Sequence, residues 1–353
     1  MSAPLGIALI GGGIFVKEQH LPAAVACPLV SVKAVWSRSL KSAEETAKLL
    51  VDAGTTADIY SSESGPGKSY DDLLKRSDVS GIILALPIVD QPSYIEKALA
   101  AGKHVLAEKP VAKDVETAIK LIEHSKKISA ETKATLAIAE NFRFIPGWAY
   151  GAEEVKKLGR VTGVSVRINS MIQTSNKYFK TSWRTKPEHQ GGFLLDSGVH
   201  FTAGLRRLLG KENTVERVIA LTSLVSSHLP PKDTINAILQ TKSGVLGSYA
   251  QSVGTTLSAF DFYVACEQGY VKVTSDKVVT VRGFEPDTET EEKTFEKSFG
   301  VKEEVQAWAE AIVSTGKPHP DQTPELALGD LEFMEKLLVS GDKGGEQQTL
   351  RYQ

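Results

Sequence analysis

Apolar and polar positions in the first third of the chain switch between two periods. Short β-rich runs occur at Gly6–Ile10, Val30–Trp36, Gly81–Leu86, His104–Ala107 and Lys133–Ala139. Between them apolar residues recur at helical spacing. Ser42 with Glu45 three residues on has the form of a capping box, and the helix it opens is expected to end near Gly54. A second helix is expected over Gln91–Ala101, stopped by Gly102, and Asp114 is placed to cap a third that reaches about Ile128. Strand–helix alternation of this kind predicts a parallel sheet with helices on both faces.

After about Glu140 the pattern changes. A helix over Gly147–Lys157 precedes a strand at Val161–Ile172, an irregular stretch and a helix near Leu194–Leu209. Strands with short turns follow: Val215–Ser226, Thr234–Lys242, Gly244–Val253, Phe260–Glu267, Tyr270–Ser275 and Val278–Phe284. The turns at Lys242–Gly244 and Gln268–Gly269 suit antiparallel hairpins. Helices at Lys302–Ser314 and Pro324–Ser340 close the chain, while Ser61–Ser69, Ser226–Asp233 and the acidic Glu285–Glu292 read as surface loops. The expected fold is therefore α/β: a Rossmann dinucleotide-binding domain over 1–140, then an α+β domain over 141–353 with an open, mostly antiparallel sheet. The C-terminal helix is a candidate to pack back on the first domain. With helices for only one sheet face, and apolar residues on both sides of strands such as Val245–Val253, a homodimer or higher homo-oligomer is expected.

Length agrees with two domains, since one core rarely grows past roughly 250–300 residues. Net charge is −2 with no sustained Lys/Arg stripe, so the footprint expected for nucleic acid is missing. Cys27 and Cys266 lie far apart and form no Cys-x-x-Cys, which suits a reducing cytosol and argues against a disulfide framework. The apolar stretch Leu5–Val16 is too short to span a bilayer and has no basic segment ahead of it, so a cytoplasmic protein without a membrane partner is expected.

The first strand runs into Gly-Gly-Gly-Ile-Phe-Val at 11–16. In a G-x-G-x-x-G turn the first glycine permits the bend and the second lets backbone approach a pyrophosphate at the helix N-terminus. Gly11 and Gly13 match, with Ile14 and Phe15 as further expected cofactor contacts, but Val16 stands where the third small residue belongs. Such a turn can also be purely structural. The end of the second strand adds to it. An NAD enzyme carries Asp or Glu about 20 residues past the glycines; this chain has Ser37-Arg38, with Lys41 nearby. A guanidinium and a hydroxyl can bind the 2′-phosphate that a carboxylate would repel, so the expected cofactor is NADP.

Two further stretches carry a resemblance. ALAAGKHVLAEKP at 98–110 and GGFLLDSGVH at 191–200, with His-Leu-Pro at 20–22 and ENFRF at 140–144, resemble the Gfo/Idh/MocA oxidoreductases, relatives of glucose–fructose oxidoreductase and inositol dehydrogenase. The resemblance covers nearly the whole chain. It implies hydride transfer between a nicotinamide and a carbinol carbon of a sugar, polyol or related small-molecule substrate. Histidine titrates near neutral pH, which makes His200 the first choice of general acid/base. Asp196, four residues earlier and so on the same helical face, would orient the reacting groups, and Gly191, Gly192 and Gly198 would leave room for close approach. Glu108 and Lys109 would lie at the nicotinamide, Lys109 polarising the substrate oxygen. Leu86, Pro87 and Gln91 occupy the place of the family's T-P-x-x-x-H and would contact the nicotinamide ribose. Asn141 with Arg143, and Trp183 with Arg184, match elements that reach the cofactor, while Tyr178 and Phe179 would line the pocket. No metal site is expected, because Asp196, His200 and His189 lack diagnostic spacing. Two other readings use the same residues: a non-catalytic NADP(H) sensor and a reductase of a C=N bond.

Overall fold

The first strand, β1 (Leu5–Ile10), buries Ile7 to Ile10 completely, as a strand covered on both faces must. The computed structural model describes residues 3–353 and divides into two units: the chain to Glu140 with Val301–Ala327, and Asn141–Gly300 with Leu328–Gln353.

In the first unit β1 is followed by a π-helical turn (Val16–His20), α1 (Leu21–Ala26), β2 (Val30–Ser37), α2 (Leu40–Asp52), β3 (Asp58–Ser61), α3 (Tyr70–Leu74), β4 (Gly81–Leu84), α4 (Gln91–Ala100), β5 (His104–Glu108), α5 (Val115–Thr132) and β6 (Leu136–Ala139). The six strands pair in parallel in the order β3-β2-β1-β4-β5-β6. This is the doubly wound order of a Rossmann domain, whose crevice opens beyond the strands' C-terminal ends, where the order reverses between β1 and β4.

Two local expectations are corrected here. The cap of α2 is Ser39, whose hydroxyl accepts from Ser42 N–H, not a Ser42–Glu45 box. Ser42 Oγ instead donates to Gly12 O at 2.7 Å and Glu45 pairs with Lys17 at 2.5 Å, so both residues fasten the glycine-turn region. Residues Asp58–Ser61 form the edge strand β3, too short to show a period. The helix Val301–Thr315, expected in the second domain, belongs to the first unit. Its Trp308 is fully buried against β4, where a Cβ on Gly81 would stand 2.9 Å from the indole. The last helix, Pro324–Asp342, belongs to the second unit from Leu328 onward.

The second unit adds α6 (Pro146–Lys157), β7 (Val161–Met171), α7 (Ser182–Thr185), α8 (Gly192–Leu209), β8 (Val215–Ser223), β9 (Thr234–Thr241), β10 (Leu246–Ser252), β11 (Gly254–Cys266), β12 (Gly269–Val273), β13 (Lys277–Phe284), β14 (Asp287–Thr294) and β15 (Gln348–Thr349). They form one nine-stranded sheet in the order β14-β13-β12-β11-β7-β10-β9-β8-β15, parallel only between β7 and β10. The acidic run expected as a loop is in fact the edge strand β14, paired with β13 along its length. Every residue of β14 is exposed, so no buried face imposes an alternating pattern on it. Helices cover one sheet face: Trp148 of α6 meets Phe262 of β11 edge-on at 4.7 Å, and Gly204 lets α8 close on the same indole. On β8, Val218 and Ala220 are buried while Ile219 and Leu221 are exposed.

Candidate active site

Every cofactor residue expected in the first unit lies at or just beyond a C-terminal strand end. Gly11 donates its N–H to Trp36 O at 2.8 Å, tying the end of β1 to that of β2. With φ at +114° and a Cβ that would lie 2.3 Å from Ala85 O, Gly11 admits no side chain. Gly13 differs: a Cβ there would meet no protein atom within 4 Å. Ile14 is half-buried, and Val16, in place of the third small residue, is a core side chain. Phe15 packs its ring edge-on to His20 at 5.2 Å.

Ser37 is buried at the end of β2, and the exposed Arg38 follows it. The Glu63 carboxylate stands beside this strand end, accepting from Leu40 N–H at 2.8 Å, and Arg38 Nη1 lies 3.2 Å from Oδ2 of Asp90, in the loop after β4. That loop also carries the half-buried Leu86 and Pro87, and the Pro87 carbonyl accepts from Asp90 N–H and Gln91 N–H. Gln91, first in α4, is buried, and among the described residues neither atom of its side-chain amide finds a hydrogen-bond partner. A buried amide left so is costly unless a ligand or water meets it. At the end of β5, Glu108 Oε1 is 2.6 Å from Nε2 of the fully buried His20, and the half-buried Lys109 follows. The π-helical turn brings His20 to that point, a link the His-Leu-Pro motif did not disclose.

In the second unit Asp196 and His200 sit one turn apart on α8. Asp196 is buried and accepts from Arg184 Nε at 2.8 Å. Arg184, in the single turn α7, lies over the Trp183 ring at 3.9 Å from its centroid, with the half-buried Tyr178 ring 5.7 Å away. The half-buried His200 stacks on Phe142 with ring centroids 4.9 Å apart and an interplanar angle of 20°. Asn141 donates from Nδ2 to Phe299 O at 2.5 Å.

The surroundings of several neighbours of the site are also defined. Arg143 is buried in an ion pair with Asp330, which also holds Arg206. Phe179 is buried against His228 rather than open to a pocket. A Cβ on Gly192 would stand 2.4 Å from Pro230 O, on Gly191 2.6 Å from Leu338 and on Gly198 2.3 Å from Met334, so these glycines admit protein, not substrate. His189 is buried with Nε2 3.1 Å from the carbonyl of Gly192, the first residue of α8. Among the described residues no three His, Cys, Asp or Glu side chains are grouped to hold a metal ion, and no helix is long and apolar enough to cross a membrane.

Residues 5–133 match the oxidoreductase-family NAD-binding Rossmann fold, and residues 153–344 match the C-terminal alpha/beta domain of the same family. The chain belongs to the Gfo/Idh/MocA oxidoreductase family. Within that family it is 39% identical to dehydrogenase FPY6 of Fusarium mangiferae, covering 99% of this chain and 100% of the relative. It is 28% identical to dTDP-3,4-didehydro-2,6-dideoxy-α-D-glucose 3-reductase of Streptomyces violaceoruber, over 72% of this chain and 66% of that one. The crystal structure of an oxidoreductase from Thermotoga maritima superposes with a TM-score of 0.84 at 31% identity, covering 98% of both chains. The Gfo/Idh/MocA motifs thus mark Lys109 on the first unit and Asp196 with His200 on the second. The Asp90–Arg38, His20–Glu108 and Arg184–Asp196 contacts join residues with no shared motif.

Proposed function

We propose that this protein is an NADP(H)-dependent oxidoreductase that interconverts a hydroxyl and a carbonyl on a sugar, polyol or related small molecule. The observation that carries the reading is the pairing of Asp196 and His200 one turn apart on α8 in a chain whose β5 ends in Glu108-Lys109. A family relative named for reducing a keto sugar supports the substrate class.

The first unit's residues fit a dinucleotide. Gly11 makes the turn, Gly13 leaves its surface open, and the helix N-terminus beyond it would receive a pyrophosphate. Ile14 and Phe15 flank that turn. Ser37 and Arg38 would hold the 2′-phosphate, and the unpartnered Gln91 amide, with Leu86 and Pro87, would meet the ribose. Glu108, Lys109, Asn141, Trp183 and Arg184 complete the proposed contacts, with Glu108 held by His20 and Arg184 by Asp196. When bound, a nicotinamide supplies the acceptor or donor of the hydride.

His200 takes the proton from the substrate hydroxyl oxygen during oxidation and returns it during reduction. Phe142 stacked on its ring limits the orientations from which it can do so. Lys109 is the proposed charged hydrogen-bond donor to a substrate oxygen, favouring its negative character. Asp196 fixes Arg184 against Trp183 and so shapes the wall beside His200.

The exposed Ile219, Leu221, Ile238, Leu246 and Leu257 on strands of the open sheet favour a homodimer or larger homo-oligomer. The cysteines, both free and buried, accord with a cytoplasmic setting. The test is NADPH oxidation and NADP reduction against sugars, polyols, ketones and imines. Turnover of a hydroxyl/carbonyl pair with NADP(H) is expected; turnover of imines alone, or tight NADPH binding with no turnover anywhere, overturns the reading. Light scattering should return more than the monomer mass of 38.1 kDa.

A further inference from the structure

The loop between β4 and α4 carries a carboxylate for which the reading above has no task. Asp90 immediately precedes Gln91, the first residue of α4. An aspartate in that place ordinarily caps its helix by accepting from a backbone N–H two or three residues on. Asp90 makes no such bond, and its own backbone is already helical, with φ −85° and ψ −31°. Its carboxylate is turned to Arg38 instead, 3.2 Å from Nη1. The two residues come from loops that are not adjacent in the sheet, since β2 and β4 flank β1 on opposite sides. Their contact therefore bridges the strand end at which the glycine turn begins. The side chains remain 61% and 35% exposed, so the pair adds little to stability and stays within reach of a ligand.

We infer that Asp90 is a specificity-determining residue: it holds Arg38 by contact and, as a like charge, opposes the 2′-phosphate, moderating the preference for NADP(H) over NAD(H). The inference rests on the proposed assignment of Arg38 to that phosphate. Enzymes that use NAD place a carboxylate at the end of β2 itself. In this chain that strand end carries Ser37-Arg38, and a carboxylate reaches the same guanidinium from across β1. A phosphate monoester holds close to two negative charges at neutral pH. To bind Arg38 it must displace Asp90 or share the guanidinium with it, and two anions on one guanidinium repel at short range. NADH has only a hydroxyl at that position and meets no such repulsion.

The experiment is a fluorescence titration of NADPH and of NADH, without substrate and at fixed ionic strength, on the full chain and its variants. Asp90→Asn removes the charge while keeping shape and capping ability. It should tighten NADPH binding about three- to tenfold and leave NADH within about twofold. Asp90→Ser, a second neutral N-cap, should shift the ratio the same way, which separates the charge effect from misfolding of one variant. Arg38→Ala should weaken NADPH about ten- to a hundredfold with NADH little changed. An NADPH:NADH affinity ratio unchanged in both Asp90 variants, or moved toward NADH, overturns the role of Asp90 while leaving the Arg38 assignment standing. If Arg38→Ala leaves NADPH binding intact, the Arg38 assignment fails and the inference fails with it.

Discussion

A Cβ placed on Gly13 of the first unit would meet no protein atom within 4 Å, whereas one on Gly192 of the second would lie 2.4 Å from the Pro230 carbonyl. Gly13 belongs to the dinucleotide-binding turn and Gly192 to the family signature at 191–200, and both drew the same expectation of room for a ligand. Only Gly13 leaves such room. Gly192, with φ at +50°, is required by the chain's own path into α8, and Gly198 by the packing of that helix on Met334 and Gln251. A motif glycine can thus mark a ligand's surface or a neighbouring side chain's. The sequence does not distinguish the two, because both leave the same residue in a motif.

The largest effect expected from this contrast lies in the second unit. Arg184→Ala would take one partner from the buried Asp196 carboxylate, and breaking such a pair costs up to about 3–5 kcal/mol. Adding Asp196→Asn should restore much of the lost stability in thermal unfolding, because the double variant no longer buries the carboxylate's charge. Gly192→Ala should cost about 2–4 kcal/mol, from its left-handed backbone and the clash with the Pro230 carbonyl. Gly13→Ala should change stability by less than about 1 kcal/mol yet weaken NADPH at least about tenfold by titration, since only a ligand would meet the added methyl. Loss of stability in Gly13→Ala, or none in Gly192→Ala, would erase the contrast.

A smaller effect should appear with pH. Burial pushes the His104 imidazole, at the start of β5, below its ordinary value of 6.5. The unfolded chain then binds the proton more readily than the folded one, so stability falls as pH drops through 6.5 toward the folded value. Urea midpoints measured above and below that value should differ less in His104→Gln than in the wild type. An unchanged difference would assign the acid sensitivity to other groups.

What the sequence made legible follows from physical cause. The parallel sheet announces itself because the central strands β1 and β4 are buried on both faces and read as unbroken apolar runs. The ends of those strands fix Gly11, Ser37 and Glu108 wherever the side chains point. Strands β3 and β14 leave no such trace, one being four residues long and the other exposed throughout. The pairs Asp90–Arg38, His20–Glu108 and Arg184–Asp196 join separate segments, so neither partner's local sequence signals the other. Helix Val301–Thr315 was readable as a helix, but only the bulk of Trp308 over Gly81 shows which unit it completes.

The central claim is that His200 exchanges the substrate proton and is not needed to hold NADP(H). It is tested most directly by measuring turnover and NADPH affinity together in wild type and His200→Ala, on whichever carbonyl substrate the screen returns. The account predicts that kcat falls by about 10²–10⁴ while the NADPH dissociation constant stays within about twofold. Wild-type turnover in His200→Ala would contradict it.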